Sequence, residues 1–106
     1  LNKFIFKKRS KNLVEVFHLY EFRVNNSKLR NKLVDFLRKN SIDAKIHYPI
    51  PMHLQPASKK YGYKKGDFPV CEKIANTTIS LPVHEFLEKR DLDKMINKIK
   101  FFSNNY

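Results

Sequence analysis

Three prolines fall between positions 49 and 56, in the run His47-Tyr-Pro-Ile-Pro-Met-His-Leu-Gln-Pro56. Proline has no amide hydrogen to give to a ladder, and it pushes the residue before it into extended geometry. Neither a helix nor an interior strand can run through this stretch. The 106 residues are therefore divided around an extended, rigid loop, and both halves must contribute to whatever core forms. A chain of this length makes one domain at most and buries roughly two-thirds of the surface it exposes when unfolded.

Upstream of the loop, Val14 to Val24 (VEVFHLYEFRV) alternates as a strand does. Val14, Val16, His18, Tyr20, Phe22 and Val24 share one face. Asn25-Asn26 breaks it, and Ser27 is placed to cap a helix. Leu29, Leu33, Phe36 and Leu37 make that helix's apolar stripe, with Lys28, Arg30, Lys32, Asp35 and Arg38 on the wet side. The helix should end near Lys39-Asn40, where basic side chains suit its C-terminal dipole. Ile42 to His47 reads as a second short strand.

Downstream, Ser58 to Tyr63 suits a turn of helix. Asp67 reads as a cap and Pro69 as a first-turn residue of a short helix over 69–76, with Val70, Ile74 and Cys71 inward. Thr78 to Leu81 reads as a third strand stopped by Pro82. Leu92, Met95, Ile96, Ile99 and Phe102 form the apolar face of a final helix. The order is strand, helix, strand, loop, short helix, strand, helix. This is an α+β pattern: a small, mostly antiparallel sheet with helices packed on one face. No strand or helix start is evident before Val14, and a first residue of leucine rather than methionine suggests the tail of a longer protein. Residues 1–13 read as a lead-in and 14–106 as the domain. Cutting such a lead-in from its neighbour would expose Phe4, Ile5 and Phe6.

The formal charge is +12, a field that would attract nucleic acid or an anionic surface. Its make-up argues the other way: 17 lysines against 5 arginines, with ten asparagines, is the signature of an AT-rich coding bias, and base readout favours arginine. The densest cluster, Lys7-Lys8-Arg9-Ser-Lys11, suits a solvated loop. A small nucleic-acid-binding module stays as the alternative. No apolar run approaches the ~20 residues of a membrane span, and Leu1 to Phe6 is too short and too soon charged for a signal peptide. A single cysteine cannot make an internal disulfide, and a cytoplasmic setting is expected.

Four histidines and Cys71 are the only soft ligands, and none has metal-site spacing, so no metal residues are assigned. Cys71 reads as small core filler and His18 as a core histidine. Two glycines leave no room for a phosphate loop. The proline run is different. In extended geometry His47 and His53 would project from one side, and Tyr48, Ile50 and Met52 from the other. Such groups on a rigid loop suit recognition of a phosphate, a uracil or a sugar hydroxyl. A plain surface connector fits the same residues equally well.

Taken together with Gly62-Tyr63, Gly66-Asp-Phe-Pro69, Glu72 and Ser80-Leu-Pro82 downstream, the run resembles the C-terminal end of the DegT/DnrJ/EryC1/StrS family, PLP-dependent aminotransferases of nucleotide-linked keto-sugars. The strand over 18–24, the helix after it and the last helix fit the same pattern, and the resemblance covers about Val14 to Phe102. Ser58, Cys71, Glu85 and Glu88 depart from the family's common residues, at positions of local packing. The resemblance implies a fold type I homodimer whose small C-terminal domain covers a site between subunits. It also implies pyridoxal 5′-phosphate as cofactor, glutamate as amino donor and a UDP- or dTDP-linked sugar as substrate, in amino-sugar and surface-polysaccharide synthesis. The family's cofactor lysine lies in the large domain; no lysine here matches its motif, so neither catalytic nor cofactor-binding residues are assigned, and this segment alone would be inactive. By the same resemblance His47 and Tyr48 match positions that contact the nucleotide-sugar, and His53 and Gln55, in the same loop, shape the pocket wall. Arg23 could face substrate, but a strand-edge salt bridge is the simpler reading. A non-catalytic remnant is a further alternative.

Overall fold

The computed structural model describes residues 3–106; Leu1 and Asn2, at the head of the stretch read as a lead-in, lie outside the described residues. The chain folds as β1 (Phe4–Ile5), β2 (Tyr20–Val24), α1 (Ser27–Lys39), two 3-10 segments (Met52–Leu54 and Pro56–Tyr61), α2 (Pro69–Thr77), β3 (Thr78–Leu81) and α3 (Lys89–Asn105). The sheet is antiparallel throughout, in the order β1-β2-β3. Its register sets Phe4 beside Val24 and Phe22 beside Ile79, so one face carries a continuous apolar patch. Beyond β3, Lys45 and Ser80 make a single antiparallel bridge through paired backbone hydrogen bonds of 2.9 and 3.0 Å.

Over that face lie α1 and α3. Leu33, Val34 and Leu37 from α1, Met95 and Phe102 from α3, and Ile42 and Ala44 from the connector after α1 complete the core. The 3.6-residue period delivers these positions to one side of each helix. Leu33 and Leu37 are fully buried, and truncating either to alanine should cost about 2–5 kcal/mol. The cap of α1 is Asn26 rather than Ser27: its Oδ1 accepts from the Leu29 amide at 2.9 Å. At the other end Arg38 and Lys39 occupy the last turn. In α3 the Glu88 amide donates to the Asp91 carboxylate at 3.1 Å, which closes its first turn.

Several expectations change. The long first strand shrinks to Tyr20–Val24, with Val14 and Val16 standing almost fully in solvent and His18 exposed. Alternation needs a neighbouring strand to become a ladder, and β3 reaches only as far as Tyr20. The second strand reduces to the Lys45–Ser80 bridge. Conversely, Phe4–Ile5, within the stretch read as a lead-in, pairs with β2 and buries Phe4, while Ile5 and Phe6 remain partly exposed. Arg30, assigned to the wet face, is buried: its guanidinium donates to the Ala75 carbonyl at 3.1 Å and to Asn31 Oδ1 at 2.7 Å, tying α1 to the C-terminal turn of α2. Arg23 shows no ion pair among the described residues. Lys7 and Arg9 both pair with Glu15, and the Arg9 guanidinium lies over the Phe17 ring, 4.5 Å from its centre. The same guanidinium lies 5.2 Å from the centre of the Tyr20 ring, so the basic cluster is an irregular loop held by one carboxylate and two aromatic rings.

Candidate functional site

The residues from His47 to Gln55 leave the sheet edge at the Lys45–Ser80 bridge and turn across the N-terminal half of α2. Tyr48, Ile50, Met52 and Gln55 on the loop side face Phe68, Val70, Cys71 and Ile74 across a groove of about 940 Å³, with His47 also on its lining. The groove is mostly apolar and open. Tyr48, Met52 and Val70 are each more than two-thirds exposed.

This geometry corrects the reading of α2. Val70, Ile74 and Cys71 do not enter the core; all three are exposed, and Ala75 and Thr77 are the buried residues of the helix. The apolar stripe read from the sequence exists, but it lines the groove. The helix begins after Phe68, and Asp67 closes the preceding turn by accepting from the Lys64 amide at 2.7 Å.

The loop's polar groups hold it in shape. The Ser58 hydroxyl donates to the Met52 carbonyl at 2.7 Å, and Gln55 Nε2 donates to the Ile50 carbonyl at 3.4 Å. The alternation expected of an extended run fails at Met52–Leu54, where one 3-10 turn rotates the chain. His53 is turned away from the groove. Its side chain is 6% exposed, its Nε2 lies 3.0 Å from Glu72 Oε1, and its ring packs on Phe68 with centres 4.8 Å apart. The same Glu72 oxygen accepts from the Gly66 amide at 2.7 Å. That amide bond, above all, lowers the Glu72 pKa from its ordinary value; desolvation opposes the shift and the His53 contact adds to it. Gly66 has φ +99°, a conformation open to glycine at little cost. So His53, expected on the ligand side, anchors the loop to α2.

His47 has the opposite setting. It is half-buried, its Nδ1 lies 2.9 Å from Ser80 Oγ, and Ser80 Oγ lies 3.3 Å from Glu21 Oε1. His47 also borders a second cavity of about 490 Å³ that reaches His18, His84, Lys45 and Lys94. Of the four residues singled out from the sequence, His47, Tyr48 and Gln55 are brought together and His53 is not. Ser80 and Glu21 were missed as site residues. Ser80 lies in the Ser-Leu-Pro motif, but nothing local marks Glu21.

No group of three His, Cys, Asp or Glu side chains among the described residues is placed to hold a metal, and no helix is long and apolar enough to cross a membrane. PLP needs a lysine facing the cofactor carbonyl and a carboxylate for the ring nitrogen. No lysine lines the groove beside His47; Lys45 and Lys94 line the neighbouring cavity, Lys45 paired with Asp43 at 3.0 Å. The groove residues do not by themselves make a PLP site.

Comparison with known proteins agrees with the architecture. The DesV structure from S. venezuelae, solved with a ketimine intermediate, superposes with a TM-score of 0.87 at 26% identity, over 98% of this chain and 27% of that one. A Streptococcus pneumoniae protein described as a sugar aminotransferase, solved in its PLP form, superposes at 0.83 and 26% identity, over 96% of this chain and 26% of that one. By sequence, the chain is 36% identical to the erythromycin biosynthesis sensory transduction protein EryC1 of Saccharopolyspora erythraea, over 79% of the chain and 22% of the relative. It is 32% identical to dTDP-3-amino-3,4,6-trideoxy-alpha-D-glucose transaminase of Streptomyces venezuelae, over 80% of the chain and 22% of the relative. The chain thus spans about a quarter of the length of the proteins it matches. The sequence profile of the DegT/DnrJ/EryC1/StrS aminotransferase family matches residues 2–100, and the chain belongs to that family.

Proposed function

We propose that this chain is the C-terminal small domain of a PLP-dependent aminotransferase that moves an amino group, from glutamate, to a nucleotide-linked keto-sugar. Its part in the reaction is recognition: the groove beside the proline loop receives the UDP- or dTDP-linked substrate, and His47 and Tyr48 touch it. Relatives named as dTDP-sugar and UDP-sugar aminotransferases support the substrate class, and the PLP form of a matched structure supports the cofactor. When bound, PLP supplies the electron sink for amino transfer; its anchoring lysine belongs to the large domain of a homodimer. The lone, exposed Cys71 suits the reducing cytoplasm, where nucleotide-sugars would be consumed for surface glycans.

The observation that carries this reading is the open apolar groove with a half-buried, tethered imidazole on its lining. Apolar walls with a few oriented polar groups are what a small-molecule site needs. In the full-length enzyme, His47→Ala should raise KM for the nucleotide-sugar by about tenfold, the worth of one hydrogen bond to substrate. The PLP absorbance should stay as it was. Loss of the cofactor spectrum, or unchanged kinetics, would remove this loop from substrate recognition.

A further inference from the structure

Glu21, Ser80 and His47 come from β2, β3 and the proline loop, and Ser80 Oγ joins the other two. A carboxylate only accepts hydrogen bonds, and a hydroxyl has one proton to give. The Ser80 hydroxyl donates to Glu21 Oε1 at 3.3 Å, the one direction open to a contact whose other partner can only accept. Ser80 Oγ is then left as the acceptor for His47 at 2.9 Å, which requires the proton on Nδ1. Ser80 is 2% exposed and its backbone pairs on both sides, with Lys45 and with β2, which keeps water from replacing either partner of the hydroxyl. His47 Nε2, on the far side of the ring, has no protein partner among the described residues.

We infer that Glu21 and Ser80 are positioning residues that hold neutral His47 as its Nδ1–H tautomer, so that Nε2 offers a lone pair to a hydrogen-bond donor of the ligand. The orientation of the second nitrogen of a histidine is set by what the first one binds. Such a nitrogen accepts from an N–H or O–H group, and it gives nothing to an unprotonated phosphate oxygen. The inference rests on the proposal that His47 touches the nucleotide-sugar, and it names the part touched: the imide N–H of a pyrimidine base or a hydroxyl of the sugar.

The tautomer can be read directly in the full-length enzyme carrying ring-15N histidine, in a buffer alkaline enough for imidazoles to be neutral. The His47 signal is identified by its loss in His47→Gln. Wild type and Ser80→Thr should show an unprotonated Nε2. Glu21→Leu frees the Ser80 proton to turn onto Nδ1, and the protonated nitrogen should become Nε2. A wild-type signal with the proton on Nε2 overturns the relay whatever His47→Ala does to KM. Conversely, the expected tautomer together with unchanged kinetics in His47→Ala defeats the substrate reading alone. Binding separates the ligand groups. For Glu21→Leu, a loss on the order of tenfold with UDP but not with 3-methyluridine diphosphate places the donor on the base. The same loss with UDP-glucose and not with UDP places it on the sugar. Equal loss with inorganic pyrophosphate, or no loss with any probe, overturns the inference.

Discussion

His47 and His53 lie six positions apart in one loop, and the fold gives them opposite work. His53 is enclosed between Phe68 and Glu72. His47 has one nitrogen bound to Ser80 and lies on the lining of the groove. An imidazole enclosed on both sides stabilises the loop; one tethered on a single side is preorganised for a ligand. Two identical side chains flanking the same prolines therefore do different work, and the distinction lies in their partners.

That contrast can be broken most forcefully at His53. Replacing it with alanine removes a buried ring and leaves Glu72 short of a partner, and should cost about 2–3 kcal/mol of stability in urea unfolding. His47→Ala should change stability by less than about 1 kcal/mol in the same experiment, because its ring is only partly buried. If both variants lose equal stability, the division of roles fails.

Next in size is Gly66→Ala. Nothing stands within 4 Å of the added methyl, but φ +99° is strained for any residue with a Cβ, and a loss of about 1 kcal/mol is expected by thermal denaturation. Because Gly66 donates to Glu72, the same variant should loosen the His53 end of the loop and leave the His47–Ser80 pair intact.

A pH titration sharpens the comparison further. The Glu72 carboxylate is held below its ordinary value of 4.5, first by the Gly66 amide. A carboxylate with a depressed folded pKa contributes stability that is full above the unfolded pKa and is lost as pH falls through the folded one. Stability should therefore drop below about pH 4.5, and Glu72→Gln should flatten that acid limb in equilibrium unfolding. An unaltered limb would mean that the carboxylate is not held this way. The smallest effect is reserved for the groove wall: Tyr48→Phe, at a residue 72% exposed, should leave stability within about 0.5 kcal/mol, with any change confined to substrate KM.

The two helices of the core were legible because the information is local. Leu29, Leu33, Phe36 and Leu37 repeat at helical spacing, and the last helix repeats likewise through Leu92, Met95, Ile99 and Phe102. The first ends at Lys39 as expected, and the last runs from Lys89 to Asn105 around its apolar positions. Pro82 ends β3 where expected. The short helix marks the limit of periodicity: the apolar stripe is real, but Val70 and Ile74 line a groove instead of a core. A stripe records that a face is apolar, and only the neighbouring elements determine what covers it. The two-residue β1 was invisible because its ladder partner, Val24, lies twenty residues on.

By itself, then, the sequence determined the α+β class, the helices and the family, since all of these reside in spacing and motif along the chain. Only the tertiary structure decided which histidine faces the groove. Ser80 is 33 positions from His47 and 59 from Glu21, and no local pattern can align three side chains from separate strands and a loop. Their alignment follows from sheet register, which is set by the whole core.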